Sequence, residues 1–153
     1  MKEKIKRDLN LFFVECFNAI LRQEEIAIEK ACQGELSVKE THLLEAVALT
    51  QKTGKNTSGG VASHLGITLG SLTVAVGVLE KKGYIEKVRG KGDMRVTYLF
   101  LTEKGTLANT FHEKFHAKMV EEVISFLDEQ EGEVLISSLI KLQNYFKEGS
   151  IQW

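Results

Sequence analysis

The 153 residues contain no proline. Proline removes an amide donor and clashes with the turn before it, so its absence suits long uninterrupted helices. Cysteine is scarce as well. The two present, Cys16 and Cys32, make neither a CxxC pair nor a zinc-knuckle spacing, which argues for reduced thiols. No apolar run approaches the roughly 18 residues that span a bilayer. The opening MKEKIKRDLN lacks the apolar core of a secretory signal. A cytoplasmic chain with no membrane partner is therefore expected. Also missing are a P-loop, a dinucleotide fingerprint, a GxSxG elbow and an HExxH pair. Glu121 and Glu122 read as a solvated helix face rather than a catalytic pair. The expectation is that the protein is not an enzyme.

What remains is the composition of an ordinary soluble protein, 43% apolar and 27% charged, with a length that fits one compact unit. The formal charge of −1 hides an asymmetry. Between Lys81 and Arg95, six basic residues face only Glu86 and Asp93. From Glu113 onward, eight carboxylates face four lysines. A basic segment inside a near-neutral chain is compatible with a local nucleic-acid contact.

Periodicity supplies the helices. Leu9, Phe12, Phe13, Cys16, Phe17, Ile20 and Leu21 recur at helical spacing, which predicts a helix from about residue 5 to 31, ending near Gly34. The stripe suggests a packing partner. Cys16 within it reads as a buried, inert thiol, with thiol sensing as the alternative. Ser37 and Glu40 form a capping box at the start of a second helix over 36–49. Residues 50–60 are polar and glycine-rich, a loop. A short helix follows and ends at Gly66, then another from Thr68 to Gly83. YIEKVR and RVTYLFL flank GKGDM as a hairpin. Thr102 opens the next helix, with Leu107, Phe111, Phe115 and Met119 down one side. Asp128 and Glu131 cap a last one bearing Leu135, Leu139, Leu142 and Phe146.

Residues 58–79 fit a helix-turn-helix. Ala62 is small where the helices touch, Gly66 can turn, and Val61, Leu65, Ile67 and Leu72 lock the pair. The second helix would offer Leu69, Gly70, Ser71, Thr73 and Val74 to a major groove, with Thr68 and Ser58 near its start. Hydroxyls can bond base edges or phosphates, and a valine methyl can touch a thymine methyl. The basic hairpin after it, with Arg89, Lys91, Asp93 and Arg95, would be a wing whose arginine enters the minor groove. A winged helix used only for protein contacts is the alternative.

The stretch TLGSLTVAVGVLEKKGYIEKVRGKGDMRVTYLFLTEKG resembles the MarR family of winged-helix repressors. Asp93, Arg95, Leu101, Thr102 and Gly105 match its DxRxxxxxLTxxG wing motif. The resemblance covers nearly the whole chain. It implies a mainly α fold with a small β-hairpin wing, a winged helix-turn-helix flanked by dimerisation helices. Its segments would be an N-terminal dimerisation helix (1–35), a DNA-binding domain (36–105) and C-terminal dimerisation helices (106–153), in a single compact unit. It also implies a homodimer on a pseudo-palindromic operator in double-stranded DNA.

LNLFFVECFNAILRQEE, VKETHLLEA and FHEKFHAKMVEEVI are most similar to the family's repressors of fatty-acid biosynthesis. That resemblance implies a corepressor in the form of acyl chains on acyl carrier protein, with no other cofactor required. Phe13, Phe17, His42, Phe111, His112, Phe115 and His116 are the candidate pocket residues. Plain helix packing is the competing reading of the same stripes. The zinc-sensing branch offers an alternative, with Glu24, His42, His112 and His116 as ligands. His112 and His116 stand one helical turn apart, so both imidazoles can reach one ion. Two departures stand out. Met94 occupies a wing position where relatives carry arginine, and no Arg or Lys lies between Thr68 and Glu80. Readout by hydroxyls and methyls at an A·T-leaning site is expected, with Asp93 orienting Arg95 through a charge-assisted bond.

Overall fold

The computed structural model describes residues 2–148; residues 149–153 of the expected 106–153 segment lie outside the described residues. Its elements are α1 (Lys2–Cys32), α2 (Val38–Lys52), α3 (Ser58–Leu65), α4 (Leu69–Lys81), β1 (Ile85–Arg89), β2 (Thr97–Leu101), α5 (Glu103–Ser125) and α6 (Glu129–Glu148). The fold is mainly α with one antiparallel hairpin, in which Ile85 pairs with Leu101 and Arg89 with Thr97. No single described helix is long and apolar enough to cross a membrane.

Most boundaries follow from local chemistry. The Ser37 hydroxyl accepts the Glu40 amide while the Glu40 carboxylate accepts the Ser37 amide, closing the capping box of α2. Thr57 and Thr68 cap α3 and α4 with a single bond each, their hydroxyls accepting the Gly60 and Ser71 amides, and Gly66 ends α3 at φ 65°. Two expectations are corrected here. Residues 50–52 continue α2 rather than opening a loop, because Thr50 is buried and its hydroxyl donates to the Ala46 carbonyl at 2.7 Å. The hairpin strands are also shorter than the apolar runs, since Arg95 and Val96 belong to the wing's turn.

The chain divides into two compact units, Met1–Phe115 and His116–Trp153. The division falls inside α5. In the first unit, Leu43, Leu44 and Val47 of α2 pack with Val61 and Ala62 of α3, Leu72, Val76 and Leu79 of α4, and Ile85 and Leu99 of the hairpin. Of the residues expected to lock the helix pair, Val61 and Leu72 are buried, while Ile67, just after the Gly66 turn, is 42% exposed.

Two helices bury a different face from the one their apolar stripes predict. In α5 the buried residues are Gly105, Ala108, Asn109 and His112, while Leu107 and Phe111 are exposed. A Cβ on Gly105 would sit 2.1 Å from the Tyr84 carbonyl oxygen, so the helix approaches the backbone just before β1 too closely for any side chain. In α1 only Glu24 and Ile28 are buried. Leu9, Phe12, Phe17 and Leu21 are exposed, and Cys16 is half-buried rather than buried.

In the second unit, Asp128 and Glu131 exchange hydrogen bonds at 2.8 and 3.0 Å at the start of α6. A cleft of about 740 Å³ is lined by Val120, Val123, Leu127, Leu135 and Leu139. Of the predicted apolar face of α6, Leu135, Leu139 and Phe146 remain exposed and Leu142 is half-buried.

Candidate nucleic-acid interface

α3 and α4 meet at a bend of 107°, inside the range of a helix-turn-helix. Leu72, Val76 and Leu79 turn inward along α4. That leaves Leu69, Gly70, Thr73 and Val74 on the outside, with Leu69 54% and Val74 71% exposed. Thr68 and Ser71 share a hydroxyl–hydroxyl bond of 2.9 Å at the exposed start of the helix. The Thr73 hydroxyl donates to the Leu69 carbonyl at 2.8 Å, so its oxygen is left as an acceptor. The outer face of α4 is therefore apolar and hydroxylic, with no basic group before Lys81.

The wing is a closed loop rather than a loose one. The Gly90 amide donates to the Val96 carbonyl at 2.9 Å, and the Val96 amide to the Asp93 carbonyl at 3.1 Å. A Cβ on Gly90 would come within 2.7 Å of that Asp93 oxygen, so this glycine is required by the turn itself. Gly92 meets nothing within 4 Å. Asp93 does not hold the Arg95 guanidinium as expected. Its carboxylate accepts the Arg95 backbone amide at 2.9 Å, a side-chain turn of the kind Asp makes with the chain two residues on. Arg89, Lys91 and Arg95 are exposed around this turn, and Met94 is 63% exposed.

Helix and wing converge. A shallow cleft of about 420 Å³ is lined by Ser58, Leu69, Thr73, Arg95 and Thr97, with Thr57 at the α3 cap. The Ser58 hydroxyl donates to the Thr97 carbonyl at 3.4 Å, tying the start of α3 to the wing. Reasoning from sequence missed Asn56. Its side-chain NH2 donates to the Leu99 carbonyl at 2.8 Å while its backbone carbonyl accepts the Leu99 amide at 2.8 Å, and Thr57 bridges to Tyr98. This short third pairing docks the wing against α3. The only signal was an Asn-Thr pair inside a polar loop.

Solved structures of winged-helix regulators are similar to this arrangement. FabT of Streptococcus pneumoniae, solved in complex with DNA, is 34% identical, covers 94% of this chain and 98% of that one, and has a TM-score of 0.86. A DNA complex of MepR from S. aureus has 22% identity, covers 88% of this chain and 97% of that one, and has a TM-score of 0.69. A MarR family transcription regulator at 17% identity covers 97% of both chains with a TM-score of 0.73. No protein-family model and no curated protein matches the chain.

The chain belongs to the MarR family. Its MarR wing motif now has physical content. Thr102 caps α5, accepting the Gly105 amide at 3.1 Å and donating to the Gly83 carbonyl at 2.7 Å. Gly105 admits the Tyr84 carbonyl described above.

The candidate effector residues of this MarR chain fall in several places. Phe13 and Phe17 stack at 5.8 Å on α1. Phe111 lines a cleft of about 410 Å³ with Cys32, Tyr84, Lys104 and Leu107. Phe115 is half-buried. His42 and His112 meet at Glu24, whose Oε1 lies 2.8 Å from His42 Nε2 and 2.6 Å from His112 Nε2. Burial raises the Glu24 pKa, but the hydrogen bond from His112 and the charge and hydrogen bond of His42 outweigh it and hold the carboxyl below its ordinary range. Atoms of Glu24, His42 and His112 suited to a metal lie within 4.8 Å of one another. His116 follows His112 by one turn of α5.

Proposed function

We propose that this chain is a DNA-binding transcriptional regulator that acts as a homodimer on a pseudo-palindromic operator. The observation that carries the reading is the cleft where Ser58, Leu69, Thr73 and Arg95 meet. It sets the uncharged start of the reading helix beside a basic wing, the pairing needed for a major-groove helix and a minor-groove arginine. The FabT relative, solved on DNA, supports it. Exposed apolar faces support the dimer. One is the Leu9, Phe12, Phe17 and Leu21 stripe of α1; another is the cleft of the second unit. A salt-titrated gel shift tests the reading, because affinity carried by phosphate contacts falls steeply with salt. Binding that ignores salt, or no shift with any genomic fragment, would favour a winged helix used for protein contacts.

The regulated genes are proposed to be those of fatty-acid biosynthesis, with a long acyl chain on acyl carrier protein as corepressor. The similarity to FabT supports this. Native mass spectrometry of the purified dimer, with and without acyl carrier protein loaded with a long acyl chain, is the test. A ternary complex with DNA that forms only with the acylated carrier is the expected result.

A second reading, a zinc-responsive regulator, is favoured by the convergence of Glu24, His42 and His112. Imidazole nitrogens and a carboxylate oxygen are a donor set that suits zinc. The same atoms also satisfy one another by hydrogen bonds, which is the plain structural role. Zinc titration by calorimetry separates the two. Stoichiometric binding lost in Glu24→Gln supports the zinc reading, and no heat supports the plain one.

A further inference from the structure

Lys82 is the C-cap of α4, the helix that presents Leu69, Thr73 and Val74. Its ammonium donates to the Glu35 carbonyl at 2.8 Å and to Glu40 Oε1 at 2.6 Å. The other oxygen of Glu40 accepts the Ser37 amide and hydroxyl at 2.8 and 2.9 Å. One carboxylate thus caps the start of α2 and grips the end of α4. Both ends suit the helix dipoles, a negative charge at an N-terminus and a positive one at a C-terminus.

The same junction is held from a second side. Lys104, in the first turn of α5, donates to the Lys82 carbonyl at 3.2 Å and to Glu35 Oε2 at 2.6 Å. Glu35 Oε2 also accepts the Tyr84 hydroxyl at 2.8 Å. The link between reading helix and wing is therefore fastened to the α1–α2 connection and to α5 by charged and polar groups, with the Tyr84 ring itself buried in the apolar core.

Geometry gives this fastening leverage. Leu72, Val76 and Leu79 fix how deep α4 sits, but its first residues project away from the core. A helix of 13 residues is about 20 Å long, so tilting it by about 10° at Lys82 moves its start by about 3 Å. That displacement is the length of a hydrogen bond.

We infer that Glu40 and Lys82 are positioning residues for DNA reading, a strut that sets the angle at which α4 meets the groove without itself touching the nucleic acid. The inference rests on the DNA-binding function proposed above. Glu40→Gln is a selective probe, because the one glutamine oxygen can keep the capping box with Ser37 while the charge and the acceptor for Lys82 are lost. Lys82→Met removes the other end of the strut, and Lys82→Arg preserves it.

The test measures affinity and its salt slope for a duplex selected from a random-sequence pool by the wild-type chain. Folded fraction is followed by circular dichroism at the same temperature. Each single variant is expected to weaken binding about tenfold, with the double variant no worse than either and Lys82→Arg close to wild type. The salt slope should match wild type throughout. A slope that drops by about one in Lys82→Met would make Lys82 a phosphate contact and overturn the strut. Losses that multiply in the double variant, unchanged affinity, or a loss that vanishes per folded molecule would overturn it as well. A wild-type chain that selects no duplex overturns the DNA-binding function itself, and the strut with it.

Discussion

Asp93 and Arg95 are joined carboxylate to backbone, with Asp93 Oδ1 accepting the Arg95 amide at 2.9 Å. The aspartate shapes the turn from which the arginine departs, and it leaves the guanidinium exposed. Arg95→Ala should therefore weaken DNA binding by roughly 1–2 kcal/mol at every sequence alike, and lower the salt slope by about one. Asp93→Ala should weaken binding with an unchanged slope, since it loosens the turn but removes no cation. Fluorescence anisotropy across a salt series reads both, and an undiminished affinity in Arg95→Ala would sink the wing assignment.

The reading helix makes a different kind of prediction. Val74 is exposed and has no basic neighbour before Lys81. Val74→Ser should cost about 1 kcal/mol of discrimination at a thymine-bearing position and leave the salt slope alone. Competition between operators that differ at one base pair measures it.

Three glycines separate tight approaches from open ones. A Cβ at Gly60 would lie 2.0 Å from the Lys55 carbonyl oxygen, and one at Gly105 2.1 Å from that of Tyr84, while Gly92 faces open space. Gly60→Ala and Gly105→Ala should each destabilise by about 2 kcal/mol or more, and Gly92→Ala should stay within about 0.5 kcal/mol of wild type. Urea denaturation followed by far-UV circular dichroism gives all three values.

Acid should loosen the Glu40 strut. Burial raises the Glu40 pKa, but the bonds from Lys82 and Ser37 outweigh it and hold the carboxyl below its ordinary range. A lowered carboxylate adds stability that is complete above the unfolded value of about 4.3 and drains away as pH falls through the folded value. Melting temperature should therefore fall below about pH 4.3, and less steeply in Glu40→Gln than in wild type. Parallel acid limbs in the two proteins would remove Glu40 from the account.

How much of this was legible depended on distance along the chain. The caps at Ser37, Thr68 and Asp128 and the turn at Gly66 are written in three or four adjacent residues, and the structure has them as read. The wing motif was legible because its parts lie within 13 residues. Asn56 reaching Leu99 across 43 residues, and Lys82 reaching Glu40 across 42, left no local trace. The inward face of α5 was misread for another reason. Periodicity ranks faces by apolarity, whereas Gly105 and Ala108 are selected for closeness and His112 for its bond to Glu24. The i, i+4 spacing of His112 and His116 pointed at that helix, but it could not show that His112 is 1% exposed.

The lack of cations on α4 before Lys81 has one further consequence. In the proposed complex the letters of the operator are read by methyls and hydroxyls on α4, while attraction to the duplex comes from Arg89, Lys91 and Arg95 on the wing. Two properties that share side chains when arginine reads guanine are here assigned to separate segments. A substitution at Thr73 or Val74 can redirect such a protein to a new promoter with its grip on DNA intact. A substitution on the wing can change occupancy at every promoter in equal proportion. Regulators built this way can diverge in target and in strength by independent steps.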